Sequence, residues 1–128
     1  MARVVHFEIS ADDPERAAQF YRGAFGWEIK KWEGPVPYWL ATTGPENEPG
    51  ISGAIMEREH PLSGKDGLIG YRCTIDISSV DESVARVSEH GGSVVAPKMA
   101  VPGVGWMALC KDTEGNIFGL MESDESAQ

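Results

Sequence analysis

The stretch His6-Phe7-Glu8-Ile9-Ser10-Ala11-Asp12-Asp13-Pro14 decides the fold, because its plan returns 66 positions later as Arg72-Cys73-Thr74-Ile75-Asp76-Ile77-Ser78-Ser79-Val80. In the first copy Phe7, Ile9 and Ala11 alternate with His6, Glu8 and Ser10, the period of a strand with one buried face. Asp13 then stands as a helix N-cap, with Pro14 at the first helical position. In the second copy Cys73, Ile75 and Ile77 alternate with Arg72, Thr74 and Asp76. Ser79-Val80-Asp81-Glu82 follows as a capping box, its serine and glutamate three residues apart.

Reading outward, Ala17, Phe20, Tyr21 and Ala24 form the expected buried stripe of the first helix, and Gly26 marks its exit. Val80, Val84 and Val87 do the same for the second helix, which ends at Gly91-Gly92. Gly/Pro turns then separate three strands in each half, over 27–32, 38–43 and 51–57, and over 93–96, 105–111 and 116–121. The same offset pairs Ile9 with Ile75, Asp13 with Ser79, Gly26 with Gly92, Ile51 with Ile117 and Gly53 with Gly119. Only the third strand slips by one, where Trp39-Leu40-Ala41 meets Trp106-Met107-Ala108.

The pattern predicts an α+β chain of two tandem βαβββ modules, their curved mixed sheets carrying helices on the outside and an open cup within. One domain is expected over 1–122, with module one at 1–59, a linker at 60–67 and module two at 68–122. Residues 123–128 read as an acidic tail without apolar groups to bury, hence disordered.

Composition narrows the class. With 128 residues, 41% hydrophobic and 24% charged, the chain is globular. No apolar run approaches the roughly 20 residues of a membrane helix. A net charge of −9 argues against a nucleic-acid partner, whose phosphates it would repel. The start runs directly into strand alternation, so no signal peptide is expected. Two cysteines without Cys-x-x-Cys spacing suit free thiols in a reducing cytoplasm. Cys73, in line with Ile75 and Ile77, is expected to be an inert core thiol.

From Val4 to Met121 the chain resembles the vicinal oxygen chelate superfamily, which holds glyoxalase I, extradiol dioxygenases and bleomycin-resistance proteins. The resemblance rests on His6 with Phe20-Tyr21 downstream, on Phe25-Gly26-Trp27, on Gly91-Gly92, and on Asp112-x-Glu114-Gly115-Asn116-x-Phe118. Val101-Pro102-Gly103-Val104-Gly105-Trp106, with Gly119-Leu120-Met121 later, is similar to a glyoxalase-related branch. Many chemistries, and non-enzymatic binders, share this scaffold.

The resemblance implies four metal ligands, one on the first and last strand of each module. Here those positions hold His6, Arg72, Gly53 and Gly119. Arginine keeps a fixed positive charge and cannot ligate, so only His6 matches. Glu57 lies four residues, roughly 13 Å, beyond Gly53. Glu122 falls on the face opposite Gly119. A replacement divalent-metal site would have to combine His6 with Glu8 and Asp76, beside a repelling Arg72. No cofactor is therefore expected.

Arg72 is instead a candidate anion contact, its planar fork of donors suiting a carboxylate, phosphate or enolate, with His6 as neighbouring acid or base. The plainer alternative is an ion pair of Arg72 with Glu8 or Asp76. Glu8, Thr74 and Asp76 share the cup-facing set as ligand contacts. Gly53 and Gly119 either open room for a ligand or allow a bulge or tight strand contact. Trp39 and Trp106 either wall a planar ligand or fill the core. The expected function is binding of a small anionic or aromatic molecule by a homodimer. The alternative is a glyoxalase- or dioxygenase-like enzyme with an unorthodox metal site that includes His6.

Overall fold

The computed structural model describes residues 2–58 and 70–128; the expected linker at 60–67 and His60 lie outside the described residues. The elements run β1 (Arg3–Ala11), α1 (Pro14–Phe25), β2 (Glu28–Lys31), β3 (Tyr38–Thr42) and β4 (Gly53–Glu57). They continue as β5 (Tyr71–Asp76), α2 (Val80–Glu89), β6 (Ser93–Val101), β7 (Gly105–Lys111) and β8 (Ile117–Ser123). The order βαβββ therefore occurs twice, as the repeat predicts. The chain divides into two compact units, His6–Tyr71 and Met1–Val5 with Arg72–Gln128.

Both modules use one topology. Strand order is β2-β3-β4-β1 in the first and β5-β8-β7-β6 in the second. The first strand of each module lies parallel to the last, and the remaining pairs are antiparallel. The helix starts follow the sequence signals. Asp13 accepts the Arg16 N–H at 3.1 Å, and the Ser79 hydroxyl accepts the Glu82 N–H at 3.2 Å. Gly26, at φ 72°, closes α1 in the left-handed conformation that glycine adopts without strain.

In the first unit the core joins Phe7, Ile9, Ala11, Ala18, Ile29, Trp39, Ala41 and Ile55. The helix stripe differs from expectation. Ala17, Ala18 and Tyr21 meet the sheet, whereas Phe20 is 60% exposed and Ala24 is exposed. Two adjacent alanines let α1 approach closely, which rotates Phe20 to the flank. There its ring stands edge-on to Tyr21 at 5.1 Å. In the second unit α2 packs over β6, β7 and β8, its Val80 buried along with Ala108, Cys110 and Leu120 of the sheet. Cys73, expected in the core, is exposed because β5 lies outside that cover. Cys110 is the buried thiol, and burial pushes its pKa up.

Both tryptophans of the third strands sit on the helix side. Trp39 belongs to the core, 9% exposed, and its indole N–H donates to Glu15 of α1 at 2.9 Å. Trp106 shares the face of Ala108 and Cys110, and its indole N–H donates to Asp124 at 3.0 Å. A lysine lies over each ring, Lys31 at 5.2 Å and Lys98 at 5.0 Å. Of the two readings left open for these tryptophans, ligand wall or core, alternation points both indoles to the helix-facing side, where each N–H finds a carboxylate. The tail is corrected as well. Asp124 is tied to Trp106, the Gly103 N–H donates to the Ala127 carbonyl at 3.0 Å, and Ala127 is 2% exposed. Asp124 is anchored by hydrogen bonds that composition does not reveal.

The two last strands differ by one residue in register. Gly53 pairs with Phe7, but Gly119 pairs with Thr74 rather than with Cys73, the equivalent of Phe7. One residue of slip reverses the face. Gly53 therefore lies on the helix side with Phe7, while Gly119 lies on the opposite side with Thr74. A Cβ at 53 would fall 2.3 Å from the Phe7 carbonyl oxygen and 2.5 Å from its ring. A Cβ at 119 would first meet the Thr74 hydroxyl, at 3.1 Å.

Two outcomes follow from this packing. Gly53→Ala is expected to destabilise the protein by about 2–3 kcal/mol, since backbone must move, whereas Gly119→Ala should change stability by less than about 1 kcal/mol. Urea denaturation of both variants checks this. Glu15 is held below its ordinary 4.5 by hydrogen bonds from Arg22 and then Trp39, and Asn116 and Ser126 respectively lead the lowering of Asp112 and Asp124. A depressed folded pKa means that the unfolded chain binds more protons in this range. The stabilisation is then full above the ordinary carboxylate values and lost as pH falls through the lower folded ones. Thermal melts across that range should show Glu15→Gln flattening the acid limb.

Candidate functional site

Strand alternation sets the candidate site in the first module. With Phe7, Ile9 and Ala11 turned to the helix, His6, Glu8 and Ser10 occupy the other face of β1, each half-buried. On that face β4 offers Ala54 opposite Glu8 and Met56 opposite Ser10. Next to β4, β3 sets Leu40 beside Ala54 and Tyr38 beside Met56.

Tyr38 lies two strands from β1, about 10 Å at normal sheet spacing. The Tyr38 side chain spans that gap diagonally, since its own partner on β4 is Met56 whereas that of Glu8 is Ala54. The Tyr38 hydroxyl donates to Glu8 Oε2 at 2.7 Å and lies 2.8 Å from His6 Nε2. The His6 and Tyr38 rings are nearly parallel, 17° apart with centroids 6.4 Å apart. Trp32 meets Tyr38 edge-on at 6.0 Å, and its backbone N–H donates to the Tyr38 carbonyl at 2.7 Å. The loop holds this indole because Gly34 lies beneath it; a Cβ there would fall 2.2 Å from the ring.

The Tyr38 hydroxyl proton goes to Glu8, and the direction of the His6 contact follows from which ring nitrogen carries the proton. One phenolic oxygen thus links an acid to a base. Chemically, the arrangement can hold a ligand oxygen by hydrogen bonds or hand on a proton.

Of the residues singled out from sequence, the structure joins His6 and Glu8, and does so through Tyr38, which the sequence reading treated only as the start of a strand. The available signal was its alternation against Trp39 and Ala41. Arg72, Thr74 and Asp76 lie in the second unit, half-buried on one side of β5, with Gly119 on that side. Asp76 also lines a cleft of about 350 Å³ with Ala2, Ser78, Glu82 and Arg86. Trp39, Trp106 and Gly53 face the helices. Glu122, as expected, faces away from Gly119 and caps α2, its carboxylate accepting the Val80 N–H at 2.9 Å.

The metal positions implied by the resemblance do not fit a metal. Arg72 cannot ligate, the glycines bring no donor, and Gly53 points to the opposite face from His6. Among the described residues, no three His, Cys, Asp or Glu side chains gather in positions to hold an ion.

Residues 3–34 match the bleomycin resistance protein-like N-terminal family model. No curated protein matches the chain significantly in sequence. A hypothetical protein from Bacillus halodurans is similar with a TM-score of 0.73 at 16% identity, covering 99% of this chain and 98% of its own. A methylmalonyl-CoA epimerase in complex with methylmalonyl-CoA and ammonium gives 0.70 at 19% identity, over 98% and 99%. A Streptomyces coelicolor methylmalonyl-CoA epimerase variant in complex with 2-nitronate-propionyl-CoA gives 0.71 at 17% identity, over 100% and 99%. The two βαβββ modules, their shared topology and these neighbours identify the fold as that of the vicinal oxygen chelate proteins, opening on a bleomycin-resistance-like segment.

Proposed function

We propose that the chain is a small-molecule-binding protein that works without the metal that the resemblance implies. The ligand is met by the face of the first module that carries His6, Tyr38 and Glu8. The single observation behind this reading is the Tyr38 hydroxyl shared between Glu8 Oε2 at 2.7 Å and His6 Nε2 at 2.8 Å. Polar side chains on a sheet face turned away from the helix suit recognition of an oxygen-bearing ligand, with Leu40 and Met56 as apolar contacts on that face. Fold neighbours in complex with acyl-CoA compounds support small organic molecules as the class to try first.

In the second module we propose Arg72 as an anion contact, with Thr74 and Asp76 beside it on β5 and Gly119 leaving room on that face. Its always-charged planar fork suits a carboxylate or phosphate. We also propose a homodimer in the cytoplasm, in keeping with the exposed apolar side chains Phe20, Phe25 and Tyr71. A second reading, an acid–base enzyme acting on a small oxygenated substrate, is favoured by the same His6–Tyr38–Glu8 chain.

The first measurement is the metal content of tag-free protein beside His6→Ala. The expected result is far less than one ion per chain in both; near-stoichiometric metal lost in the mutant would overturn the metal-free reading. Titration with methylmalonyl-CoA, simple carboxylates and phenols, read by tryptophan fluorescence, then tests binding. His6→Ala and Tyr38→Phe are expected to weaken a bound probe about tenfold, the size of one lost hydrogen bond to a charged or well-placed partner. Conversion of the probe by wild type, abolished in His6→Ala with binding retained, would select the enzyme reading. If Arg72→Ala binds every anion as well as wild type, the anion contact is removed from the proposal. Light scattering reads the oligomeric state.

A further inference from the structure

We propose that Trp32 is a specificity-determining residue of the ligand face, its indole N–H held as a donor for a neutral carbonyl oxygen of the ligand. This rests on the reading that the ligand meets the first module on the side of Tyr38. It adds which ligand atom is recognised there.

The side follows from parity. β2 runs against β3 with Ile29 beside Ala41, Lys30 beside Leu40 and Lys31 beside Trp39. Ile29 belongs to the core and Lys31 lies over Trp39, so both turn to the helix. The next position continues the ladder, since the Trp32 backbone N–H donates to the Tyr38 carbonyl at 2.7 Å. Alternation sends Trp32 to the other face with Lys30, Leu40 and Tyr38, where its ring stands edge-on to Tyr38.

Gly34 sets the orientation of the indole. A Cβ at 34 would strike Cη2, Cζ3 and Cε3 of the ring. Gly34 is not among the glycines with positive φ, so glycine stands there for room rather than for conformation. Pro35 and Pro37 fix two φ angles of the same loop, which lowers the cost of keeping the indole in one place. The three seated atoms lie on the outer edge of the six-membered ring. Nε1 belongs to the five-membered ring, on the far side from Gly34.

Trp39 and Trp106 spend their indole N–H groups on Glu15 and Asp124. Among the described residues the Trp32 N–H has no such partner, and no buried side-chain nitrogen is left unsatisfied, so this donor is open to solvent. A donor held by a stiff loop meets an acceptor at little entropic cost. The indole carries no charge, and Lys30, two positions back on this face, is paired with Glu28 at 3.0 Å. The acceptor it suits is a neutral carbonyl rather than a carboxylate.

The test is 1H–15N NMR of the four indole N–H groups, with Trp32→Phe assigning the signal. In ligand-free protein the Trp32 N–H is expected to exchange rapidly with water, and those of Trp39 and Trp106 slowly. A Trp32 N–H as protected as those two would overturn the proposal before any ligand is added. Gly34→Ala, shown folded by circular dichroism, is expected to move the Trp32 signal and leave Trp39 and Trp106 in place. An unmoved signal would overturn the seating of the ring, and the proposal with it. Acetophenone and ethylbenzene, which differ by a carbonyl in place of a methylene, are the probes. Acetophenone is expected to slow exchange of the Trp32 N–H and to bind about tenfold more tightly than ethylbenzene, a difference that Trp32→Phe removes. Acetophenone that binds no better than ethylbenzene, or that perturbs His6 or Tyr38 without slowing the Trp32 N–H, would overturn the proposal and leave the ligand face standing. So would acetophenone that stays unbound while carboxylates or phenols perturb that face. If no probe of any class perturbs it, the proposed function falls, and the role of Trp32 falls with it.

Discussion

The packing of Phe7 against Gly53 is the contact on which the geometry of the first module depends. These two residues are directly paired across the parallel β1–β4 ladder, and a side chain at 53 would strike both the backbone and the ring of Phe7. Glycine there pins a register in which Phe7, Ile9 and Ile55 share one face. The complementary face must then carry His6, Glu8, Ala54 and Met56. A shift of one residue would send His6 and Glu8 into the core and break the Tyr38 hydrogen bonds. The core packing of one face and the polar chain of the other are consequences of a single alignment.

The same plan built twice has been used differently. Each module keeps a lysine over a third-strand tryptophan and a carboxylate on its indole N–H, with Glu15 coming from a helix and Asp124 from the segment after the last strand. The support for the helix-facing side is therefore duplicated even where its residues come from different places. The opposite sides have diverged. His6 and Glu8 correspond to Arg72 and Thr74, so one module offers a tyrosine-linked acid and base and the other a fixed cation. The one-residue slip of β8 against β5 widens the difference, because it turns Gly119 to the side of Arg72 while Gly53 stays with the core.

That divergence bears on function. A metal site would need converging donors, and the positions that the resemblance implies for them hold one histidine, one arginine and two glycines. Hydrogen bonding and fixed charge are what these residues can supply. Both serve a binder directly, and the His6–Tyr38–Glu8 chain also has the parts for proton transfer. Specificity would then come from which atoms donate and which accept, a property set by the direction of the hydrogen bonds as much as by the identity of the side chains.

Alternation, capping residues and the internal repeat were enough to establish two βαβββ modules, because strand period and helix ends are local properties of the chain. They also placed His6 and Glu8 together and predicted that Glu122 faces away from Gly119, since parity along one strand needs no partner. What only the tertiary structure decided was everything that depends on register between strands. Gly53 and Gly119 look equivalent in sequence and lie on opposite faces, because two ladders differ by one residue. Tyr38 joins the site because β3 lies beside β4 and β4 beside β1, an order that local patterns do not encode. Trp39 and Trp106 read either as a ligand wall or as core until the helices are seen to lie on their side of each sheet. The tail reads as disordered until Asp124 and Ala127 are seen to bond back to Trp106 and Gly103. The physical reason is common to all four: a side chain's own strand sets its parity, but its neighbours across the sheet determine what that parity faces.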